Sequence, residues 1–162
     1  MDDSELILPD TSRRDARHAA IRLLSRREHS ADELKRKLKT KGFNPALIEQ
    51  IIQELAQENL QSDERFAESY QRSRRGSGYG PARIQQELKQ RGVSEDIIAA
   101  VVIADDSSWA ELAKQVREKR FGLALPESAP DRAKQMRFLQ YRGFTGQQLK
   151  YALSNDTEIL ID

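Results

Sequence analysis

The stretch that decides the fold is "LKQRGVSEDII", residues Leu88–Ile98. It ends one helix, because a glycine placed four residues after a leucine readily takes the left-handed conformation of a C-terminal cap, and the preceding cation meets the negative end of the helix dipole. It also begins another helix, because Ser94 can accept a hydrogen bond from a free backbone N–H of the next first turn. The stretch therefore predicts a helix, a tight glycine turn and a second helix.

Two further copies of this block make the chain a repeat. "LKTKGFNPALI" is Leu38–Ile48 and "LQYRGFTGQQL" is Leu139–Leu149, so the shared glycines recur every 50 or 51 residues. The third copy is the weakest, because Gln135 stands where the other two have Leu34 and Ile84. Self-similarity at this spacing is typical of tandem helical units.

One more amphipathic helix is predicted before each pair, at Ala16–Arg26, Asp63–Arg74 and Trp109–Lys119. Ser62 and Ser108 are the predicted N-caps of the last two. No alternating apolar and polar run predicts a strand, so we expect an all-α fold, an elongated array of three tandem three-helix repeats with about nine helices and no sheet. The predicted repeats span 13–61, 62–106 and 107–155, between an acidic N-terminal tail (1–12) and an acidic C-terminal tail (156–162).

The net charge of +1 conceals an uneven distribution. All 27 Lys and Arg residues lie between Arg13 and Lys150, whereas seven acids lie outside that span, so the body carries about +8. Basic runs are often solvated helix faces, but runs at equivalent repeat positions would line up and attract a polyanion or an acidic protein surface. The sequence has no cysteine, no secretory signal and no apolar run of about 20 residues, which predicts a cytoplasmic protein.

The glycine-rich stretch "GSGYGPARI", Gly76–Ile84, has the composition of a phosphate-binding loop. It lacks the Lys-Ser/Thr step and the preceding strand that nucleotide-binding loops need. Its place in the repeat instead predicts an enlarged turn between the first two helices of the second repeat, with Gly80 as N-cap and Pro81 as the first helical residue. A plain turn and a contact role both stay open, since Tyr79 and Tyr141 lie near turns and could reach solvent.

No residue pattern predicts catalysis, a metal site or a cofactor, so we expect a binding protein and not an enzyme. His18 and His29 lack the i, i+4 spacing of a helical metal pair, and His29 is expected to face solvent in a turn. The aromatic residues expected in the core, because they belong to amphipathic stripes, are Phe66, Tyr70 and Trp109.

The segment "SDERFAESYQRSRRGSGYGPARIQQELKQRGVSEDII", Ser62–Ile98, resembles the most distinctive block of the RecX family of bacterial recombination regulators. The resemblance extends from about Arg13 to Asn155, with the first and third repeats less specific than the second. It implies a protein that binds the RecA recombinase filament on single-stranded DNA and blocks its growth or promotes its disassembly. Strand exchange, ATP hydrolysis and the co-protease activity of the SOS response would then be restrained.

We expect the basic residues of the second helices and their turns to form the contact surface, here called the predicted stripe. An elongated monomer would suit a filament groove, and the alternative is a helical module that binds single- or double-stranded DNA without a recombinase. The predicted stripe comprises Arg26, Arg27, Lys35, Lys39, Lys41, Arg74, Arg75, Tyr79, Arg83, Lys89, Arg91, Lys134, Arg137 and Arg142.

Overall fold

The computed structural model describes residues 10–155, so most of the two predicted acidic tails, 1–9 and 156–162, lies outside the described residues. Within 10–155 there are nine helices and no strand, which confirms the predicted all-α fold. The helices are α1 (Asp10–Arg26), α2 (Ala31–Thr40), α3 (Pro45–Gln57), α4 (Asp63–Gly76), α5 (Pro81–Gln90), α6 (Glu95–Val101), α7 (Ser108–Phe121), α8 (Ala129–Arg142) and α9 (Gly146–Ala152).

The three glycine turns form as the repeated block predicts. Gly42, Gly92 and Gly143 have φ angles of 91°, 78° and 97°, the left-handed region in which a side chain would be strained. After the first turn, Asn44 accepts a hydrogen bond from the Ala46 N–H at 2.8 Å. In the second block, Ser94 accepts one from the Ile97 N–H at 3.4 Å, and in the third the Thr145 N–H donates to Gln148 Oε1 at 2.8 Å.

The starts of the remaining helices follow the prediction less closely. Ser62 caps α4, since its hydroxyl accepts from the Arg65 N–H at 3.2 Å. The prediction that Ser108 caps α7 is wrong, because Ser108 is the first helical residue. The N-cap residue is Ser107, which makes no side-chain capping hydrogen bond; instead, the carboxylate of Asp106 accepts from the Ser108 N–H at 2.9 Å and from the Ser108 hydroxyl at 2.8 Å. The backbone hydrogen bond in particular lowers the pKa of Asp106.

The described residues divide into two compact units. The first compact unit comprises 10–69 with 91–93, and its core is aliphatic: Leu34, Leu38, Ile51 and Leu55 are fully buried against small residues of α1. Burying such side chains is the main favourable contribution to folding. Phe66 is also buried, as predicted.

His29, in the first compact unit, is not the solvent-facing residue that the sequence suggested, because only 2 % of its surface is exposed. Its Nδ1 lies 3.0 Å from the Arg27 carbonyl oxygen, which makes Nδ1–H the donor and leaves Nε2 to accept from the Lys37 ammonium group at 3.3 Å. Burial lowers the pKa of His29, so the neutral imidazole is favoured.

The second compact unit comprises 70–90 and 94–155, and it buries a charged side chain beside its apolar core. Trp109 is buried, as predicted, and the Arg117 guanidinium is 99 % buried nearby in α7. Arg117 donates to the Ala152 carbonyl at 2.7 Å and to Gln135 Oε1 at 3.5 Å, and further carbonyls around residues 122–124 accept its other N–H groups. Gln135 replaces the aliphatic residue of the other copies because a buried guanidinium needs polar partners.

A candidate partner-binding site around Tyr79

The turn between α4 and α5 is held in place by close contact with the turn between α8 and α9. The Gly80 N–H donates to the Arg142 carbonyl at 2.7 Å, and the Ala82 N–H donates to the Gly143 carbonyl at 3.0 Å. A Cβ atom on Gly80 would lie 2.5 Å from the Gly143 carbonyl group, and one on Gly143 would collide with Arg83. Glycine at both positions therefore permits two backbones to approach more closely than any side chain would allow.

This approach gathers three arginines around one aromatic ring. The guanidinium carbons of Arg74, Arg83 and Arg142 lie 3.8, 4.6 and 4.7 Å from the centroid of the half-buried Tyr79 ring. Arg83 also lies 4.9 Å from the ring of Tyr141, which is 74 % exposed. Each contact is within the range in which a cation is attracted to the negative face of an aromatic ring. We call Tyr79 and these three arginines the Tyr79 cluster.

A single carboxylate, Glu87, compensates part of this charge. Glu87 accepts two hydrogen bonds from Arg74, at 2.9 and 2.8 Å, one from Arg83 at 3.1 Å and one from the Tyr70 hydroxyl at 2.6 Å. Burial opposes ionisation of Glu87, but the hydrogen bonds from its three partners outweigh it and hold the pKa of the carboxyl below its usual range. Three guanidinium charges against one carboxylate leave the group with an excess of positive charge.

Arg75 belongs to the predicted stripe but has a packing role. Its guanidinium lies 4.1 Å from the centroid of the Trp109 ring, and it donates to the Ser108 hydroxyl. Arg75 therefore joins the end of α4 to the start of α7, and replacing it would disturb the packing as well as any partner contact.

Of the predicted stripe, the structure brings Arg74, Tyr79, Arg83 and Arg142 together in the Tyr79 cluster. Apart from Arg75, the other residues of the stripe fall into two groups. In the first group each cation has a carboxylate within 4 Å: Arg27 and Arg91 pair with Glu33, Lys35 pairs with Glu49, and Lys89 lies 3.7 Å from Glu95. The second group consists of exposed cations: Arg26, Lys39, Lys41, Lys134 and Arg137.

Sequence reasoning missed two parts of the site, Glu87 and the contact with Gly143. The i, i+4 spacing of Arg83 and Glu87 is a local signal that could have found the first. The second pairs residues more than 60 positions apart, and no local pattern reports it.

The fold defines a class, helical proteins of tandem three-helix domains, and this chain adds a basic, aromatic cluster around Tyr79. The chain belongs to the RecX family, since the models of the first, second and third three-helix domains of RecX match residues 16–55, 62–102 and 107–153. RecX is a regulatory family, not known for catalysis.

Relatives and solved structures agree with this membership. The chain is 44 % identical to "Regulatory protein RecX" of Halorhodospira halophila over 136 residues, and this alignment covers 84 % of each chain. It is 43 % identical to "Regulatory protein RecX" of Vibrio campbellii, covering 88 % of this chain and 92 % of the other. The crystal structure of RecX from Lactobacillus salivarius has a TM-score of 0.75 at 23 % identity, covering 89 % of this chain and 96 % of that one, and so shares the fold. A second crystal structure, of regulatory protein RecX, has a TM-score of 0.74 at 25 % identity over 86 % of this chain and 70 % of that one.

The described residues, 10–155, have neither a metal-ligating group of side chains nor a membrane-spanning helix. No group of three or more His, Asp or Glu side chains in this range could hold a metal ion. None of the helices described above is long and apolar enough to cross a membrane.

Proposed function

We propose that the chain is a negative regulator of the RecA recombinase that binds the RecA filament on single-stranded DNA. It inhibits filament growth, strand exchange, ATP hydrolysis and co-protease activity, and thereby restrains homologous recombination, DNA repair and the SOS response in the cytoplasm. A monomer is the acting form. Relatives named as regulatory proteins support a regulatory role, and the observation that carries the proposal is the Tyr79 cluster.

The Tyr79 cluster suits an acidic protein surface or a row of phosphates because its guanidinium groups are held before a partner arrives. Glu87 and the Tyr79 ring fix Arg74 and Arg83. Binding therefore immobilises fewer side chains, each of which would otherwise cost about 0.5–1.5 kcal/mol. Arginine also presents planar N–H donors that match the oxygens of carboxylates and phosphates. Basic residues of the predicted stripe in the other repeats are proposed as further contacts.

The test of this function is the ATPase activity of RecA on single-stranded DNA. Filaments are formed with ATP, and the protein is added at a small fraction of the RecA concentration. We expect ATP hydrolysis to fall, because one regulator bound to a filament affects many RecA subunits. Unchanged hydrolysis at every ratio would refute the regulator proposal.

The alternative is a helical module that acts directly on nucleic acid without a recombinase partner. The charge of about +8 on the body of the chain favours it, as does the recurrence of helix–glycine turn–helix pairs, which DNA-reading proteins also use. Binding to single- and double-stranded oligonucleotides in the absence of RecA separates the two functions. If ATP hydrolysis falls only when the protein saturates the DNA, and the effect disappears steeply with salt, competition for DNA is the better account.

A further inference from the structure

A groove of about 510 Å³ in the second compact unit lies beside the Tyr79 cluster and shares only Arg142 with it. It is bounded by α7, the end of α8 and the backbone of residues 76–78, and Leu112, Val116 and Phe138 supply its apolar lining. Gly78 forms part of the wall: its φ is +84°, and a Cβ atom there would lie 3.1 Å from Val116 Cγ2. The groove therefore exists in this shape because residue 78 has no side chain.

Three cations line the same groove without a carboxylate among them. They are Lys119, Arg120 and Arg142, and no Asp or Glu lines the groove. Within residues 10–155 none of the three forms a salt bridge, in contrast to Arg74 and Arg83, which share Glu87. Arg142 is held in place by its donation to the Ser77 carbonyl at 3.0 Å. The groove thus combines an apolar floor with a net positive rim.

The floor distinguishes between two kinds of anionic ligand. Proteins that bind single-stranded nucleic acid stack bases on free aromatic faces. Phe138, the one aromatic residue that lines this groove, already has the guanidinium carbons of Arg120 and Arg142 at 5.7 and 5.2 Å from its centroid and packs edge to face on Phe121. Its ring is engaged, and the remaining floor is aliphatic.

We propose that this groove binds an extended, acidic and aliphatic segment of a partner protein. In an extended peptide, alternate side chains point to opposite sides, and residues two apart are separated by about 6.6 Å. Aliphatic side chains on one side pack on Leu112 and Val116, and carboxylates on the other side reach Lys119, Arg120 and Arg142. The proposal does not depend on which protein is regulated, and its test contains no RecA, so its failure would leave the regulator function standing.

The test is fluorescence anisotropy with a labelled octapeptide of alternating glutamate and leucine and the full chain. Lys119→Glu should weaken binding about tenfold, which corresponds to ~1.4 kcal/mol, because it replaces an attractive charge pair with a repulsive one. Lys150→Glu, an exposed charge reversal on α9 outside the groove, is the matched control and should leave binding unchanged. Far-ultraviolet circular dichroism checks that both variants keep their helices.

Three comparison ligands decide the chemistry. The first is an octapeptide of alternating glutamine and leucine. If it binds as well as the glutamate–leucine peptide, the proposal is overturned, because the charge of the ligand would then be irrelevant. The second is an octapeptide of alternating glutamate and serine. If it binds as well as the glutamate–leucine peptide, the proposal is also overturned, because the apolar floor would then contribute nothing to binding. Tighter binding of an eight-nucleotide oligothymidylate, weakened by Lys119→Glu, would assign the groove to nucleic acid instead.

Discussion

Replacing Gly80 by alanine tests the close contact between the α4–α5 and α8–α9 turns. The added methyl group would lie 2.5 Å from the carbonyl carbon and oxygen of Gly143, whereas ordinary van der Waals contact begins near 3.4 Å. The two turns must therefore separate by about 1 Å, which stretches the Gly80–Arg142 and Ala82–Gly143 hydrogen bonds beyond the usual limit of about 3.2 Å. Loss of two backbone hydrogen bonds, at about 0.5–1.5 kcal/mol each, together with poorer packing lowers the free energy of unfolding by ~2–4 kcal/mol.

The assay is thermal unfolding followed by circular dichroism, and a loss of this size lowers the melting temperature by roughly 10 °C. Gly76→Ala is the matched control, because it adds the same methyl group in the same stretch but meets nothing within 4 Å. At the end of α4 alanine should leave stability unchanged or raise it by up to about 1 kcal/mol. Equal melting temperatures for Gly80→Ala and the unsubstituted protein would refute the inferred contact.

Substitutions at three further residues test the site and the buried histidine. Tyr79→Ala should weaken inhibition of the RecA ATPase about 5–30-fold, because it removes the ring that holds three guanidinium groups. Tyr79→Phe keeps the ring and should inhibit nearly as well as the unsubstituted protein. Equal inhibition by the two variants would place the contact elsewhere. Glu87→Gln should lower the melting temperature most near neutral pH. The folded pKa of Glu87 lies below the unfolded value of about 4.3, so the ionised carboxylate stabilises the fold fully above that pH, and this stabilisation is lost as the pH falls through the folded pKa. A difference in melting temperature between Glu87→Gln and the unsubstituted protein that does not change between pH 7 and 3 would contradict this. Burial lowers the pKa of His29, so protonation of the unfolded chain below pH ~6.5 destabilises the fold. His29→Gln should therefore reduce the loss of stability between pH 7 and 5, measured by urea unfolding; an equal loss in both proteins would contradict this.

The helices and their ends could be predicted because their signals are local. Gly92 ends α5 and Ser94 begins α6 through contacts within a few residues, and the same holds in the other two copies. The prediction places the N-cap of α7 one residue too late, because Ser107 and Ser108 are both good capping residues and only the backbone conformation selects between them. The boundaries of the three repeats stay a prediction.

For the Tyr79 cluster, the sequence indicates some of the residues but not the contacts between them. Charge and repeat position predict Arg74 and Arg83 as contact residues, but nothing local shows that they share Glu87 or that Arg142 reaches the same ring. Arg75 looked equivalent to Arg74 in the sequence, yet it packs on Trp109. Such differences depend on which elements meet in space, and one-dimensional spacing does not encode that.

The buried Arg117 has a consequence for how the repeats can evolve. Once Arg117 is buried with Gln135 and the carbonyl of Ala152 as partners, exchange of α8 for its counterpart α2 would bring Leu34 to the position of Gln135 and remove one of these partners. The third repeat therefore needs a polar side chain at position 135, where the first and second repeats have an aliphatic one.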